Sequence, residues 1–489
     1  MNKFLFLITL FPAVIQGNSQ NASTRLPNII YIYADDLGYG SMGSYGQRKI
    51  KTPNLDRMAK EGIRFTQHYA GAPVCAPSRA ILMTGKHAGH ADIRGNFELG
   101  GFADSAERGQ LPLPANAVTI AELVKRKNYK TALVGKWGLG MSNTEGSPLK
   151  QGFDYFYGYL DQKQAHNHYP SHLWENGKWD TLDQAYINVH RRLDSAVATD
   201  KDFQSFIGNE YASDKLTSKA LQFIESAAKD PFFLYLAYPL PHASLQVPRA
   251  YIDMYAGLFS EKPYYGQQGY ASTKNPLSMY AGMITYLDAQ VGLIMNKIKA
   301  LGLDSSTIIL FSSDNGPSAE GGADIRFFNC NGGLRGIKRD LYEGGIRVPF
   351  IVRWPGTVAP GKVSDHLSAQ YDFFATVAEL TDQSAGVTDG ISFLSELKGS
   401  TKQKKHSYLY FEFAEKSGQV AIRLGNWKGV KSNLKKNTNA VWELYNLDND
   451  PGETNNIAAM HPDLLEQFAK IMKKEHQSAV IEAWELTGK

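Results

Sequence analysis

The sequence predicts an α/β domain followed by a smaller α+β unit. Three observations carry this: short apolar runs alternate with amphipathic segments along most of the chain, several of those runs stop at clusters of polar residues, and beyond about residue 395 the pattern changes to short aromatic runs behind a Lys-rich stretch. A length of 489 residues exceeds one small module at ~100–200 residues per domain. Residues 28–34 (NIIYIYA) form the first apolar run and end at Asp35-Asp36. Thr52-Pro53 is an N-cap followed by proline at the first helical position, with Leu55, Met58 and Ala59 on one face. Helix formation is expected over 78–84 after Pro77, and over 120–126 behind a capping box of Thr119 and Glu122. A strand over 131–134 ends in GKWGLG. A helix over 213–228 precedes a strand over 232–237 that ends at PLPHAS. Ile284, Leu287, Val291, Ile294 and Ile298 recur at steps of three and four, one helix face, and the strand 307–312 follows and ends at Asp314-Asn315. In open α/β sheets ligands bind beyond the carboxyl ends of strands, so these four tips are where chemistry is expected. The small unit combines YLYFEF, VAIRLGNWKGV and VWELYNL as antiparallel strands with a turn at residues 449–452 and a helix near the end.

Composition narrows the function classes. Hydrophobic residues at 43% and charged residues at 20% exclude a disordered chain. Lys+Arg 52 against Asp+Glu 48, with no dense basic stripe, gives no expectation of a nucleic-acid partner. Aromatic residues at 12% suit sugar-stacking surfaces and extra core volume alike. Two cysteines, Cys75 and Cys330, allow at most one disulfide and exclude a disulfide-stapled scaffold. Residues 1–17 (MNKFLFLITLFPAVIQG) have the pattern of a signal peptide: Lys3, then an apolar run over 4–15, shorter than the ~17–25 residues of a membrane helix, then small and polar residues. The mature chain is therefore expected to be exported, periplasmic or secreted, without membrane insertion.

Asp35-Asp36 and Asp314-Asn315 each close an apolar strand. Adjacent carboxylates repel, and a site that keeps both ionised supplies a cation. Together the four offer three carboxylates and one amide oxygen, a hard set that suits Ca2+ or Mg2+ and not Zn2+. Either pair alone also serves as a turn former or a cap.

The segment Cys75-Ala76-Pro77-Ser78-Arg79, extended to CAPSRAILMTG, resembles the signature of the formylglycine-dependent sulfatases of the alkaline-phosphatase superfamily. Other motifs stand in that family's order: Asp35-Asp36 followed by Leu-Gly-Tyr-Gly, Gly135-Lys136-Trp137, His242 in PLPHASLQVP, Ser313-Asp314-Asn315-Gly316, and Arg335-Gly336-Ile337-Lys338 with EGGIRVP behind it. With GNWKGV and ELYNLDNDPGETNNIA the likeness runs from about residue 28 to 457. It implies an alkaline-phosphatase-like catalytic α/β domain over 24–395, a large mixed central sheet sandwiched by helices, and a C-terminal α+β subdomain with an antiparallel sheet over 396–489.

The resemblance also implies chemistry. Cys75 would be oxidised by a formylglycine-generating maturation enzyme, and its hydrate would attack the sulfur of a sulfate ester. Asp35, Asp36, Asp314 and Asn315, with the modified Cys75, would hold one divalent cation, Ca2+ most often, Mg2+ otherwise. Arg79 and Lys136 would hold the diol. Lys338 and His242 would bind sulfate oxygens near the leaving group, one of them protonating the departing alcohol. The residues fit: a helix N-terminus and Arg79 both favour an anion beside Cys75. Plainer readings stand beside each role: a structural cysteine or a Cys75–Cys330 disulfide, a snorkelling Lys136, a loop His242 and a solvated Lys338.

One departure stands out. Many sulfatases carry Gly-Lys-Trp-His-Leu-Gly, and this chain carries Gly138 in place of the histidine. Ala165-His166-Asn167-His168-Tyr169-Pro170 is a candidate source of the missing group, similar to the AHN-x-YP segment of carbohydrate-active relatives, with His166 favoured over His168 and a substrate-binding loop the equal alternative. The aromatic, His-rich stretch 153–179 reads as an insertion that stacks a sugar ring or as packing for the small unit. The expected activity is a sulfuric ester hydrolase acting on a sulfated saccharide, sulfated galactose or an N-acetylhexosamine. The alternatives are a phosphatase or phosphodiesterase of the superfamily, or an inactive carbohydrate-binding relative.

Overall fold

The computed structural model describes residues 26–437 and 439–486, so the signal peptide expected over 1–17 lies outside the described residues. The centre is a ten-stranded sheet. In spatial order its strands are Lys362–Ser364, Ile63–Phe65, Phe350–Arg353, Thr307–Ser313, Asn28–Ala34, Phe232–Ala237, Lys130–Lys136, Tyr155–Tyr159, His172–Glu175 and Lys178–Thr181. From Thr307–Ser313 to Tyr155–Tyr159 the five neighbours are parallel. Phe350–Arg353 and the terminal hairpin run antiparallel, so the sheet is mixed.

The parallel strands are apolar throughout because both faces are covered. Ile30, Ile32 and Ala34 pack into one core layer with Ile284, Leu287, Val291, Ile294 and Ile298 of the helix Pro276–Ala300, the face the spacing predicts. Ile29, Tyr31 and Tyr33 pack into the other layer with Ala76, Ala80 and Leu82 of the helix Cys75–Thr84. The capping box forms: the Thr119 hydroxyl accepts from the Glu122 amide at 3.3 Å, and the Glu122 carboxylate accepts from the Thr119 amide at 2.9 Å.

The stretch 153–179 supplies the outer strands of the main sheet, and Phe153, Phe156 and Leu160 lie in the same core layer as Val420 and Ile422 of the small unit. Tyr155–Tyr159 continues the main sheet beside Lys130–Lys136, and its hairpin completes the edge. The aromatic residues are there because this strand, too, is covered on both faces: Phe156 enters one layer and Tyr157 the other.

Four antiparallel strands, Leu409–Phe413, Gln419–Leu424, Trp427–Ser432 and Trp442–Asn446, make the C-terminal sheet. The helix Pro462–Glu475 closes on it so tightly that a Cβ on Gly429 would stand 2.4 Å from Phe468. Buried contacts tie this unit to the rest, Arg94 to Glu412 at 2.7 Å among them. Val420, Ile422 and Phe468 share a core layer with Ala76 and Leu82. Lys428, fully buried, lies 2.9 Å from Glu343 and 3.0 Å from Glu453. His87 Nε2 lies 3.1 Å and His90 Nε2 3.5 Å from Glu475, while His90 Nδ1 pairs with Asp389 of the larger unit at 2.9 Å. His87 Nδ1 accepts the Gly89 amide, so its Nε2 carries the proton that Glu475 receives, and this cluster is a saturated clasp.

Candidate active site

Four strand tips converge, as the sequence predicts. Asp35 and Asp36 follow Asn28–Ala34, and Asp314 and Asn315 follow Thr307–Ser313. Lys136 is the last residue of its strand, two residues further than the expected end. His242 follows Phe232–Ala237. Asp36 takes a φ of 65°, a costly conformation for a residue with a Cβ. It is held there by its amide donating to Asp314 Oδ1 at 3.0 Å.

The fifth contributor is the helix Cys75–Thr84, whose first residue is Cys75 itself. The Ser78 hydroxyl fixes the turn before it by donating to the Ala72 carbonyl at 2.7 Å. Asn96 Oδ1 accepts the Ala76 amide at 3.0 Å, one of the orphan donors of the helix start. Cys75 Sγ thus stands 3.3 Å from Asp35 Oδ1 and is buried. Burial first, then the Asp35 charge, push its thiol well above the ordinary range. An unmodified Cys75 would therefore be a protonated, poor nucleophile. Cys75 and Cys330 are not joined.

Around this sulfur the charges interlock. Lys136 Nζ lies 2.6 Å from Asp35 Oδ2. Arg79 reaches Asp314 at 3.0 Å, Asp35 at 3.3 Å and the Lys136 carbonyl at 2.9 Å. Lys338 Nζ lies 2.9 Å from Asp36 and 3.0 Å from His242 Nε2. Burial would raise Asp35, yet the charges of Lys136, first, and Arg79 hold it well below the usual carboxylate range. Asp314 goes the other way, pushed up by burial and by Asp35. Both lysines stay charged: burial opposes this, but Asp35 raises Lys136 and Asp36 raises Lys338. His242 is lowered by burial and by Lys338. Its Nδ1 donates to the Ala243 carbonyl, which leaves Nε2 as an acceptor.

The donor set fits a hard divalent cation. Oxygens of Asp35 and Asp36 lie within 4.8 Å of each other and of Cys75 Sγ. Asn315 Nδ2 donates to Asp36 Oδ1 at 2.7 Å, which turns its Oδ1 the other way, and that buried oxygen has no hydrogen-bond partner. Three carboxylates already face three cations, so a divalent ion would leave the pocket net positive for an anionic ligand.

The two further histidines separate. His166 is half-buried, its ring stacked 5.1 Å from that of His242 and tilted 60° to that of Tyr270 at 5.2 Å, with its buried Nδ1 unpartnered. His168 is fully buried, and its Nε2 donates to the His242 carbonyl at 3.0 Å. Against the expectation of a substrate contact, it is turned into the fold and supports the His242 loop. Gly138 has a φ of +73°, and a Cβ there would stand 2.6 Å from Gln162, so the backbone itself explains why no histidine occupies this position. Sequence reasoning missed Asn96, Tyr270, Glu320 and Arg339, which contact Ala76, the His242 ring, Lys338 and Pro73 in turn. Of these only Arg339 carried a signal, its place next to Lys338.

Comparison with known proteins bears on this arrangement. The family described as Sulfatase matches residues 27–383, and that described as N-sulphoglucosamine sulphohydrolase, C-terminal, matches 336–479. The chain is 29% identical to N-acetylgalactosamine-6-O-sulfatase of Bacteroides thetaiotaomicron, covering 94% of each. It is 31% identical to arylsulfatase A of Homo sapiens, covering 94% of this chain and 90% of that protein. Among solved structures, Ps i-CgsB in complex with k-i-k-neocarrahexaose gives a TM-score of 0.73 at 29% identity, over 93% of this chain and 94% of that one.

Proposed function

The chain belongs to the sulfatase family and is a sulfuric ester hydrolase, and on that premise we propose that it removes sulfate from a sulfated carbohydrate, with Cys75 matured to formylglycine as the nucleophile-bearing residue. The observation that carries the reading is Cys75 at a helix start, 3.3 Å from Asp35 and ringed by Arg79, Lys136 and Lys338. A thiol held protonated at that place calls for conversion to another nucleophile. When present, formylglycine supplies as its hydrate one hydroxyl to attack sulfur and a second to expel sulfate. Asp35, Asp36, Asp314 and Asn315 would hold Ca2+, or Mg2+, which supplies charge neutralisation beside that hydroxyl.

The chain's own residues do the rest. Sulfate monoesters resist attack because anions repel nucleophiles, and fixed cations remove that barrier without reorganising. Arg79 and Lys136 orient the residue at 75. Lys338 holds the sulfate and carries the proton for the departing alcohol, and neutral His242 aligns it. His168 positions His242. His166, stacked over His242, is the base that stands in for the histidine absent at Gly138. We place sulfated galactose or an N-acetylhexosamine as the substrate, a reading supported by the names of the relatives and by the rim of histidine and tyrosine. Export to periplasm or medium, maturation by a separate enzyme, and a division between catalytic and C-terminal units at residues 395 and 396 complete the proposal.

The test is sulfate release from a panel of mono-sulfated saccharides, an aryl sulfate and an aryl phosphate, with Cys75→Ala as the blank. The account expects turnover of sulfate esters by the parent chain alone. An equally active blank contradicts the nucleophile, and faster turnover of the phosphate would make the protein a phosphatase of the same fold.

A further inference from the structure

Beside the sulfate-facing cluster lies a second group of charged residues that the hydrolysis does not use. Arg339 follows Lys338, takes a φ of 73° and is pinned on both sides of its backbone. Its amide donates to the Pro73 carbonyl at 2.9 Å, two residues before Cys75, and its carbonyl accepts from Gln419 Nε2 at 3.0 Å. A residue with a Cβ held at that φ is aimed by its surroundings. Its guanidinium lies 3.1 Å from Glu320 Oε1 and is about half exposed, while Glu320 Oε2 stands 3.6 Å from Lys338 Nζ.

Glu415 closes the other side. It follows the C-terminal strand Leu409–Phe413, and its Oε1 accepts the Asn96 amide at 2.6 Å; Asn96 in turn caps Ala76, the residue after Cys75. Burial raises the Glu415 carboxyl, against the charges of Arg339 and Lys338, which both act on it. Thus the Arg339 backbone is bonded to the segment carrying Cys75, its guanidinium pairs with Glu320, and Glu415 reaches that segment through Asn96.

Two further carboxylates next to a sulfate pocket cost affinity if only sulfate binds there. They gain a purpose if the leaving group carries hydroxyls, since carboxylates accept from hydroxyl donors and the Arg fork donates to hydroxyl oxygens. We propose that Arg339, Glu320 and Glu415 form the sugar-reading rim of the site, binding the hydroxyls of the saccharide that carries the sulfate, with one of the three supplied by the C-terminal unit. This deepens the reading above and rests on it.

The experiment compares kcat/KM for galactose and N-acetylgalactosamine sulfates with that for an aryl sulfate, which has no ring hydroxyls. The parent chain, Arg339→Ala, Arg339→Lys and Glu415→Gln are used as full-length mature protein. The expected result is a preference for a saccharide sulfate in the parent, a fall in that preference of ~10-fold or more in Arg339→Ala and Glu415→Gln, and a smaller fall in Arg339→Lys. A site that recognises no sugar predicts an unchanged ratio, because a structural fault lowers both substrates together. An unchanged ratio, or a parent chain that prefers the aryl ester, overturns the rim. Loss of aryl sulfate turnover in Cys75→Ala is read separately, so failure of the rim and failure of the sulfatase mechanism are distinguishable.

Discussion

Lys338 donates through Nζ to Nε2 of His242 across 3.0 Å, so the lysine holds the mobile protons and the histidine is their acceptor. Lys338→Met is expected to lower kcat by ~10²–10³-fold, the usual loss of one preorganised donor. His242→Gln keeps an acceptor and should lose less than His242→Leu. Equal losses in the two His242 variants would show that its acceptor role is irrelevant.

The unpartnered oxygen of Asn315 leads to a metal prediction. Ca2+ at about a hundredfold over its Kd should stabilise the parent chain by ~2.7 kcal/mol by mass action. Asn315→Leu removes that ligand oxygen and should shrink the Ca2+-dependent rise in Tm. A parent chain whose Tm ignores Ca2+ and Mg2+ would count against the site.

Lys428 is fully buried between Glu343 and Glu453. Lys428→Met takes the cation from Glu453 in the interior and leaves Glu343 with Arg347 at 3.4 Å, and should cost ~3–5 kcal/mol, seen as a lowered Tm in thermal denaturation. A change below ~1 kcal/mol would show that the triad is not held by this charge.

His406 Nε2 lies 2.7 Å from Asp372. Burial would lower His406, but the Asp372 charge and hydrogen bond outweigh it and the net shift is upward. A group whose folded pKa is raised stabilises fully below its unfolded value of about 6.5 and loses that contribution as pH rises through the folded value. The Tm difference between the parent chain and His406→Gln should therefore narrow as pH rises above ~6.5. A difference that widens there would reverse the assigned sign.

Gly138 stands at a φ where side chains are strained, with Gln162 in the way of a Cβ. Gly138→His should cost ~1–3 kcal/mol and fail to restore turnover to His166→Ala. Full rescue of kcat would mean that position 138 is open to the site.

The strand tips were legible because apolar runs ending in Asp35-Asp36, Lys136 and Asp314-Asn315 need no long-range information. The helix at Cys75 was legible in kind but not in its start, since the Asn96 oxygen that caps its first turn comes from 20 residues further along the chain. Whether the stretch 153–179 stacks a sugar or packs the fold stayed open in the sequence, because aromatic strands signal burial without saying which sheet buries them. His166 was favoured over His168 in the sequence, and the fold separates them by sending the His168 ring to the His242 carbonyl and the His166 ring against that of His242. Glu320 follows Asn315 by five residues but belongs to no motif, and Glu415 comes from the C-terminal unit, distant in the chain.

The most direct test is the mass of the peptide spanning Cys75 from enzyme purified in active form out of its native host. The account predicts a residue ~18 Da lighter than cysteine, the loss that accompanies replacing the thiol by an aldehyde. A fully active enzyme carrying an intact thiol at position 75 would contradict it.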